Sequence, residues 1–372
     1  MDLMSQHVAL AQRAAIHTQL PDHESFFRYN SGRWLYNESE QLAARYVRFN
    51  VDALQRVAAN AAGATRCVSM VKSNEGCFNK IFSLQFDNGS ELIAKIPYPL
   101  VTPHHLCTAS EVATMEYART VLGLPVPKVL DWSAQAHGTD VGVEYILMEK
   151  IEGVELRRRY KNLRSEGVEL LNQVNGMERA FVSRRFSQIG SLYYKEDVEP
   201  KLQARRLYAD GEDDDDASER FRIGPCVDWG MWRGKRAAVE LDRGPWPDAL
   251  SFIRATVNIQ QAWLKRFAPA QSTNDVVARS SLDDSPETHI RLLDQFLAIA
   301  PHILPPEIIS FPVLWHTDLH AGNIMIKPEG TPDVVAIIDW QGMGVAPLFM
   351  QSVFAKFVRY TGDDHIRTSK PI

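Results

Sequence analysis

Apolar positions along the chain recur in two rhythms, and the change between them marks out its organisation. Over residues 38–59, Leu42, Tyr46, Phe49, Ala53 and Val57 return every three or four positions, which predicts one helix. The aromatic residues ahead of it, Phe26, Phe27, Tyr29, Trp34 and Tyr36, are read as packing against a domain. Strand-like runs follow over residues 67–71, 80–86 and 91–97, the last two joined by Asp87-Asn88-Gly89. Asn-Gly between apolar runs is a strong hairpin signal, so these three strands form an antiparallel sheet.

Thr108 or Ser110 is then placed to cap a helix that begins near residue 109, carries Val112, Met115 and Ala118, and ends near Gly123. Pro125 and Pro127 bracket an extended connector, and residues 143–149 read as a further strand. Sheet, helix and sheet over residues 65–150 make a small lobe. From Leu156 the signal is helical and interrupted, clearest over 168–186 and 247–267. The acidic run at 213–216 and the Ser, Asp and Asn-rich stretch at 271–286 read as surface loops. The expected division is an N-terminal helical extension (1–60), a small lobe (61–150) and a large lobe (151–372), in the α+β class.

Composition leaves this picture unchanged. A chain of 372 residues suits two lobes, and a formal charge of −5 argues against a general nucleic-acid surface. Four cysteines lack metal-ligand pairing and are too sparse for a disulfide scaffold, and no apolar run is long enough to cross a bilayer. Residues 8–16 carry one arginine, Arg13, which favours a terminal helix over an arginine-rich presequence.

The chemistry concentrates near the C-terminus. His316-Thr317-Asp318-Leu319-His320-Ala321-Gly322-Asn323 is followed by the apolar run 334–338 and then Asp339-Trp340. Asp318 is positioned to accept a proton from an attacking hydroxyl. Asn323 and Asp339, the latter delivered by a buried strand, supply the oxygen ligands that Mg2+ favours in nucleotide chemistry. His316 reads as a brace for this loop. His316 and His320 are four apart but lack the HExxH arrangement of a zinc helix, and no G-x-S-x-G elbow occurs.

Upstream, the turn Ser73-Asn74-Glu75-Gly76-Cys77-Phe78-Asn79-Lys80 either cradles phosphate oxygens on its amides near Gly76 or is a plain hairpin. Lys95 shares a strand face with Ile93. It either extends to solvent or contacts nucleotide phosphates, and in the second case Glu111 or Glu116 is available to hold it. Met148-Glu149-Lys150 leaves the last strand of the small lobe, where backbone groups would meet an adenine, and Gly153 permits the turn into the large lobe.

Residues 313–324 together with Ile338-Asp339-Trp340 resemble the aminoglycoside phosphotransferase and choline kinase-like superfamily. The stretches at 31–37, 75–80, 109–115, 190–194 and 241–246 are similar to its fungal branch, which includes the altered inheritance of mitochondria protein 9 group. The resemblance runs from about residue 26 to 352. It implies a bilobal protein-kinase-like fold, and ATP with Mg2+ for transfer of the γ-phosphoryl group to a hydroxyl of a small molecule. It further implies Lys95 on the nucleotide phosphates, Glu111 as its ion partner, Asp318 as base, and Asn323 with Asp339 as metal ligands. A mitochondrial or cytoplasmic location follows from the same comparison.

Two departures stand against it. Thr317 occupies a position where relatives often carry glycine or proline. Only about twenty residues follow Gln351, where relatives continue into a helical extension that helps build the acceptor side. From this we expect nucleotide binding with weakened acceptor phosphorylation. The alternative expectation is a noncatalytic nucleotide-binding or mitochondrial interaction protein.

Overall fold

The computed structural model describes residues 23–73, 75–160, 163, 167–209, 216–268, 285–352, 355 and 357. The expectations for residues 8–16, for most of the 213–216 and 271–286 loops, and for the chain after Gln351 fall mainly outside these residues.

Strands β1 (Cys67–Lys72), β2 (Asn79–Phe86), β3 (Glu91–Pro97), β4 (Val129–Ser133) and β5 (Tyr145–Glu149) form one antiparallel sheet in the order β1-β2-β3-β5-β4. The β2–β3 hairpin closes as its sequence requires. Gly89 adopts φ +84°, and the Asn88 side chain accepts from the Ser90 amide while donating to the Ala62 carbonyl. Alternation along β3 sends Leu92, Ala94 and Ile96 into the core beneath the sheet and leaves Ile93 and Lys95 on the opposite face.

The predicted helix over 38–59 is two helices, α1 (Glu38–Ala43) and α2 (Val51–Ala61). Residues 44–50 leave the helical path because their backbone has other partners: Val47 N donates to Phe27 O, and Asn50 N to Val141 O. The Asn50 side chain then caps α2 by accepting from the Ala53 amide. Val51, Leu54 and Ala58 bury against the sheet.

Helix α3 (Leu106–Thr120) starts earlier than its sequence predicts. Neither Thr108 nor Ser110 caps it, since both lie inside the helix and are buried. Glu144, just before β5, supplies the missing partner: its carboxylate accepts from the His105 amide at 3.0 Å and the Thr108 hydroxyl at 2.6 Å. A carboxylate there also suits the positive end of the helix dipole. Glu111 consequently sits in the second turn of α3.

The large lobe contains α4 (Gly167–Phe181), α5 (Ala249–Phe267) and α6 (Pro286–Ile303). The first two are shorter than the predicted 168–186 and 247–267. Phe186 instead bridges to Tyr208, and the Asp248 side chain caps α5. Leu170, Val174, Met177 and Phe181 form the buried stripe of α4. Small sheets join the helices. β7 (Ser191–Tyr194) pairs with β8 (Phe221–Gly224), and β9 (Pro312–Trp315) pairs with β12 (Gly344–Pro347). β6 (Val154–Glu155), β10 (Ile324–Ile326) and β11 (Val334–Ile337) run in the order β11-β10-β6. A small lobe built on an antiparallel sheet and a larger, mainly helical lobe make an α+β, bilobal, protein-kinase-like fold.

Candidate functional site

β3 and α3 bring Lys95 and Glu111 together between the lobes. Lys95 Nζ lies 2.6 Å from Glu111 Oε1 and 3.3 Å from Asp339 Oδ1, and both Lys95 and Glu111 are about 95% buried. The lysine therefore does not extend to solvent, and Glu116 pairs instead with Arg119 and Arg220. Burial works against the Lys95 ammonium. The adjacent carboxylates of Glu111 and Asp339 outweigh it and hold the lysine pKa above its usual value.

Asp339 follows the end of β11 by two residues. It adopts φ +64°, a left-handed conformation that aspartate tolerates better than most residues, and its side chain is about half exposed to the cleft. The preceding residue anchors it: Ile338 N donates to Asn323 O at 2.9 Å, and the Ile338 carbonyl pairs with His316 Nε2 at 3.1 Å. His316 is 1% exposed and stacks edge-on to Trp340. Burial pushes its pKa below the ordinary value, so the ring is neutral and Nε2–H donates to the carbonyl.

The loop from Asp318 to Asn323 folds back on itself. Asn323 Nδ2 donates to the Asp318 carbonyl at 3.0 Å, which leaves its amide oxygen as the atom it can offer a cation. Gly322 N donates to His320 Nδ1 at 2.9 Å, so the ring proton resides on Nε2, which stands 3.5 Å from Asp318 Oδ2. A Cβ on Gly322 would meet the His320 ring at 2.7 Å, and this close approach explains the glycine.

These elements border a cavity of about 720 Å³. Gly76, Lys95, Glu111, Met148, Glu149, Lys150, Asn323 and Asp339 all line it, while Asp318 and His316 are not among its lining residues. Lys150 is held at the rim by Glu91 at 2.8 Å, and Glu149 accepts from the Lys128 amide. Gly153 also lines the cavity, and a Cβ there would stand 2.8 Å from Val335 Cγ2, so the glycine lets the connector pass close to β11.

The turn before β2 is more than a hairpin tip. Glu75 is fully buried at its side chain and accepts from Lys80 at 2.7 Å, Tyr98 at 2.9 Å and the Asn30 amide at 2.9 Å, with Lys72 3.0 Å away. Ser31 Oγ accepts from the Glu75 amide, so residues 30–31 strap the turn in place. Of the aromatic cluster predicted to pack against the domain, Phe26, Phe27 and Tyr29 join the small-lobe core and Trp34 meets Tyr29, with Arg45 over the Trp34 ring at 4.6 Å, whereas Tyr36 is exposed. Burial lowers the Lys80 pKa to about 8 despite the Glu75 carboxylate.

Three participants escaped the sequence reading. Asn79, buried at the cavity wall, donates to Gln341 Oε1 at 2.7 Å and ties the small lobe to the segment after Asp339. Arg157 and Arg158 line the same cavity. The run Arg157-Arg158-Arg159 was a visible signal for the latter two, whereas nothing in the sequence pairs positions 79 and 341.

Lys95 and Glu111 of the small lobe thus meet Asp339 of the large lobe, and Asn323 borders the same cavity. The profile of the Phosphotransferase enzyme family matches residues 74–350, and the chain belongs to that family. It is 36% identical over 324 residues to a subtelomeric hrmA-associated cluster protein of Aspergillus fumigatus, covering 79% of this chain and 61% of that one. Its identity to altered inheritance of mitochondria protein 9, mitochondrial, of Kluyveromyces lactis is 25%, covering 92% of this chain and 65% of the relative. The chain thus spans less than two thirds of the length of these relatives. Among solved structures it is similar to the aminoglycoside phosphotransferase APH(4)-Ia at 15% identity, with a TM-score of 0.41 and coverage of 80% and 73% of the two chains.

Proposed function

We propose that this protein transfers the γ-phosphoryl group of ATP to a hydroxyl of a small molecule in a Mg2+-dependent reaction. The observation that carries the reading is the convergence of Lys95, Glu111 and Asp339 from three separate elements, with Asn323 and Asp318 on the adjoining loop.

Each side chain has a part that its surroundings suit. Lys95, kept charged by two carboxylates, binds the α and β phosphates. Glu111 holds its ammonium in place. The backbone around Gly76 closes over the phosphates, and residues 148–150 present the edge of the hinge to the adenine. Asp339 and the Asn323 amide oxygen suit a hard cation that keeps water and phosphate oxygens as its remaining ligands. When bound there, Mg2+ supplies charge neutralisation for the phosphoryl oxygens.

Asp318 orients the acceptor hydroxyl and takes its proton. A bond forms from that oxygen to the γ-phosphorus as the bond from phosphorus to the bridging oxygen of ADP breaks. Positioning and electrostatics account for such catalysis without a covalent enzyme intermediate. The Asp318–His320 contact steers the carboxylate, and the neutral His316 fixes the carbonyl of Ile338 beside Asp339.

The test is Mg2+-dependent ATP turnover against a library of hydroxyl compounds, comparing the wild type with Asp318→Ala and Asp339→Ala. Turnover should fall by about 10³-fold or more in each variant. Turnover that persists at wild-type level in both sinks the assignment. Nucleotide binding with no transfer to any acceptor would favour a noncatalytic protein. The mitochondrial names of the relatives at 25–26% identity favour that compartment, and fractionation of the tagged protein checks it.

A further inference from the structure

Two exposed arginines border the cleft. Arg157 and Arg158 both line the cavity, with side chains 65% and 69% exposed, and they share a single carboxylate, that of Glu155. Arg159 is committed elsewhere, to the carbonyls of Lys327 at 2.6 Å and Gly330 at 2.7 Å. The other acidic side chains lining the cavity have their own assignments. Glu111 and Asp339 face Lys95, and Glu149 accepts from the Lys128 amide. Two guanidinium groups therefore share one carboxylate at this part of the cavity, and each keeps donors to offer a ligand.

Position decides what those donors serve. Arg157 N donates to the Ala321 carbonyl at 2.8 Å, which ties the arginine pair to the loop between Asp318 and Asn323. The Arg157 side chain passes 3.9 Å from where a Cβ on Gly322 would stand, beside the His320 ring that contacts Asp318. The arginines thus stand beside the loop from Asp318 to Asn323, which on the proposed reading receives the acceptor hydroxyl.

We propose that the acceptor is an anion, a hydroxyl compound carrying a phosphate or carboxylate group that Arg157 and Arg158 hold while its hydroxyl reaches Asp318. Guanidinium forks bind both groups through paired, charge-assisted hydrogen bonds. The inference rests on the phosphotransferase reading of the same cleft.

The experiment uses the full chain with its nucleotide site saturated by Mg·ADP, titrated calorimetrically with glucose 6-phosphate, gluconate, glucose and kanamycin. Binding of glucose 6-phosphate or gluconate should exceed that of glucose and kanamycin. It should weaken about tenfold or more in Arg157→Ala/Arg158→Ala while Mg·ADP affinity holds. Glucose 6-phosphate and gluconate separate the phosphate from the carboxylate source. Equal binding of all four probes, no binding of any, or a preference for kanamycin overturns the proposal. So does loss of Mg·ADP affinity in the double variant, which assigns the arginines to the nucleotide. Failure of the wild type to bind Mg·ADP at all instead overturns the phosphotransferase reading on which this one stands.

Discussion

Lys95 Nζ and Asp339 Oδ1 stand 3.3 Å apart although they belong to different lobes and are separated by 244 positions in the chain. The same ammonium is 2.6 Å from Glu111. One buried cation therefore registers the small-lobe sheet, helix α3 and the strand-end aspartate against each other. Replacing it leaves Glu111 without a counter-charge in a dry site. Lys95→Met should lower stability by about 3–5 kcal/mol, and Lys95→Met/Glu111→Leu should recover most of that loss without restoring nucleotide affinity. Chemical denaturation paired with nucleotide titration checks both halves. A single variant as stable as the wild type would contradict the buried pairing.

Glu75 is expected to act on the turn before β2 through its packing. Its carboxylate serves Lys72, Lys80, Tyr98 and the Asn30 amide at once, in a fully buried setting. Glu75→Leu strands the Lys80 ammonium and should cost about 3–5 kcal/mol. Glu75→Gln keeps the shape and should cost less, while raising the KM for ATP more than it lowers kcat. Steady-state kinetics at varied ATP separates these effects, and unchanged kinetics in a folded Glu75→Gln protein would deny the turn its role.

His316 sets a pH response. Its folded-state pKa is depressed by burial below the ordinary 6.5, so between those two values the unfolded chain binds the extra proton. Stability from this group is present in full above pH 6.5 and is lost as pH falls through the folded value. The slope reaches at most about 1.4 kcal/mol per pH unit for one proton. His316→Gln, which can still donate to the Ile338 carbonyl, should flatten the acid limb of a melting-temperature profile. An unaltered profile would show that another group governs it.

Gly153 tests the lobe connector. An added Cβ would stand 2.8 Å from Val335 Cγ2 and 3.1 Å from the Ile326 carbonyl, so Gly153→Ala should destabilise by about 1–3 kcal/mol. A lower denaturant midpoint at constant slope is the expected signature. Full stability would mean that Val335 moves aside freely.

Local chemistry was readable wherever neighbours in sequence create it. The Asn88-Gly89 turn, the alternation that separates Lys95 from Leu92 and Ala94, and the Asp318 to Asn323 loop all depend on residues a few positions apart. Periodicity failed over residues 38–59 because backbone bonds to Phe27 and Val141 draw residues 44–50 out of a helix that their side-chain spacing permits. The cap of α3 failed similarly: Glu144 arrives from 36 positions beyond Thr108, and no local signal announces it.

Sequence by itself determined the inventory, namely a lysine on a strand face, acidic residues on the next helix, and an Asp-x4-Asn loop ahead of a strand-end aspartate. Tertiary structure decided the pairings. It chose Glu111 over Glu116, buried Lys95 where it stays charged, and joined Asn79 to Gln341 across the lobes. It also placed two arginines beside the loop from Asp318 to Asn323. Short-range order follows from backbone torsions and side-chain period, which the chain carries along its length. Charge pairing depends on distance and desolvation in space, and these exist only once the two lobes have packed.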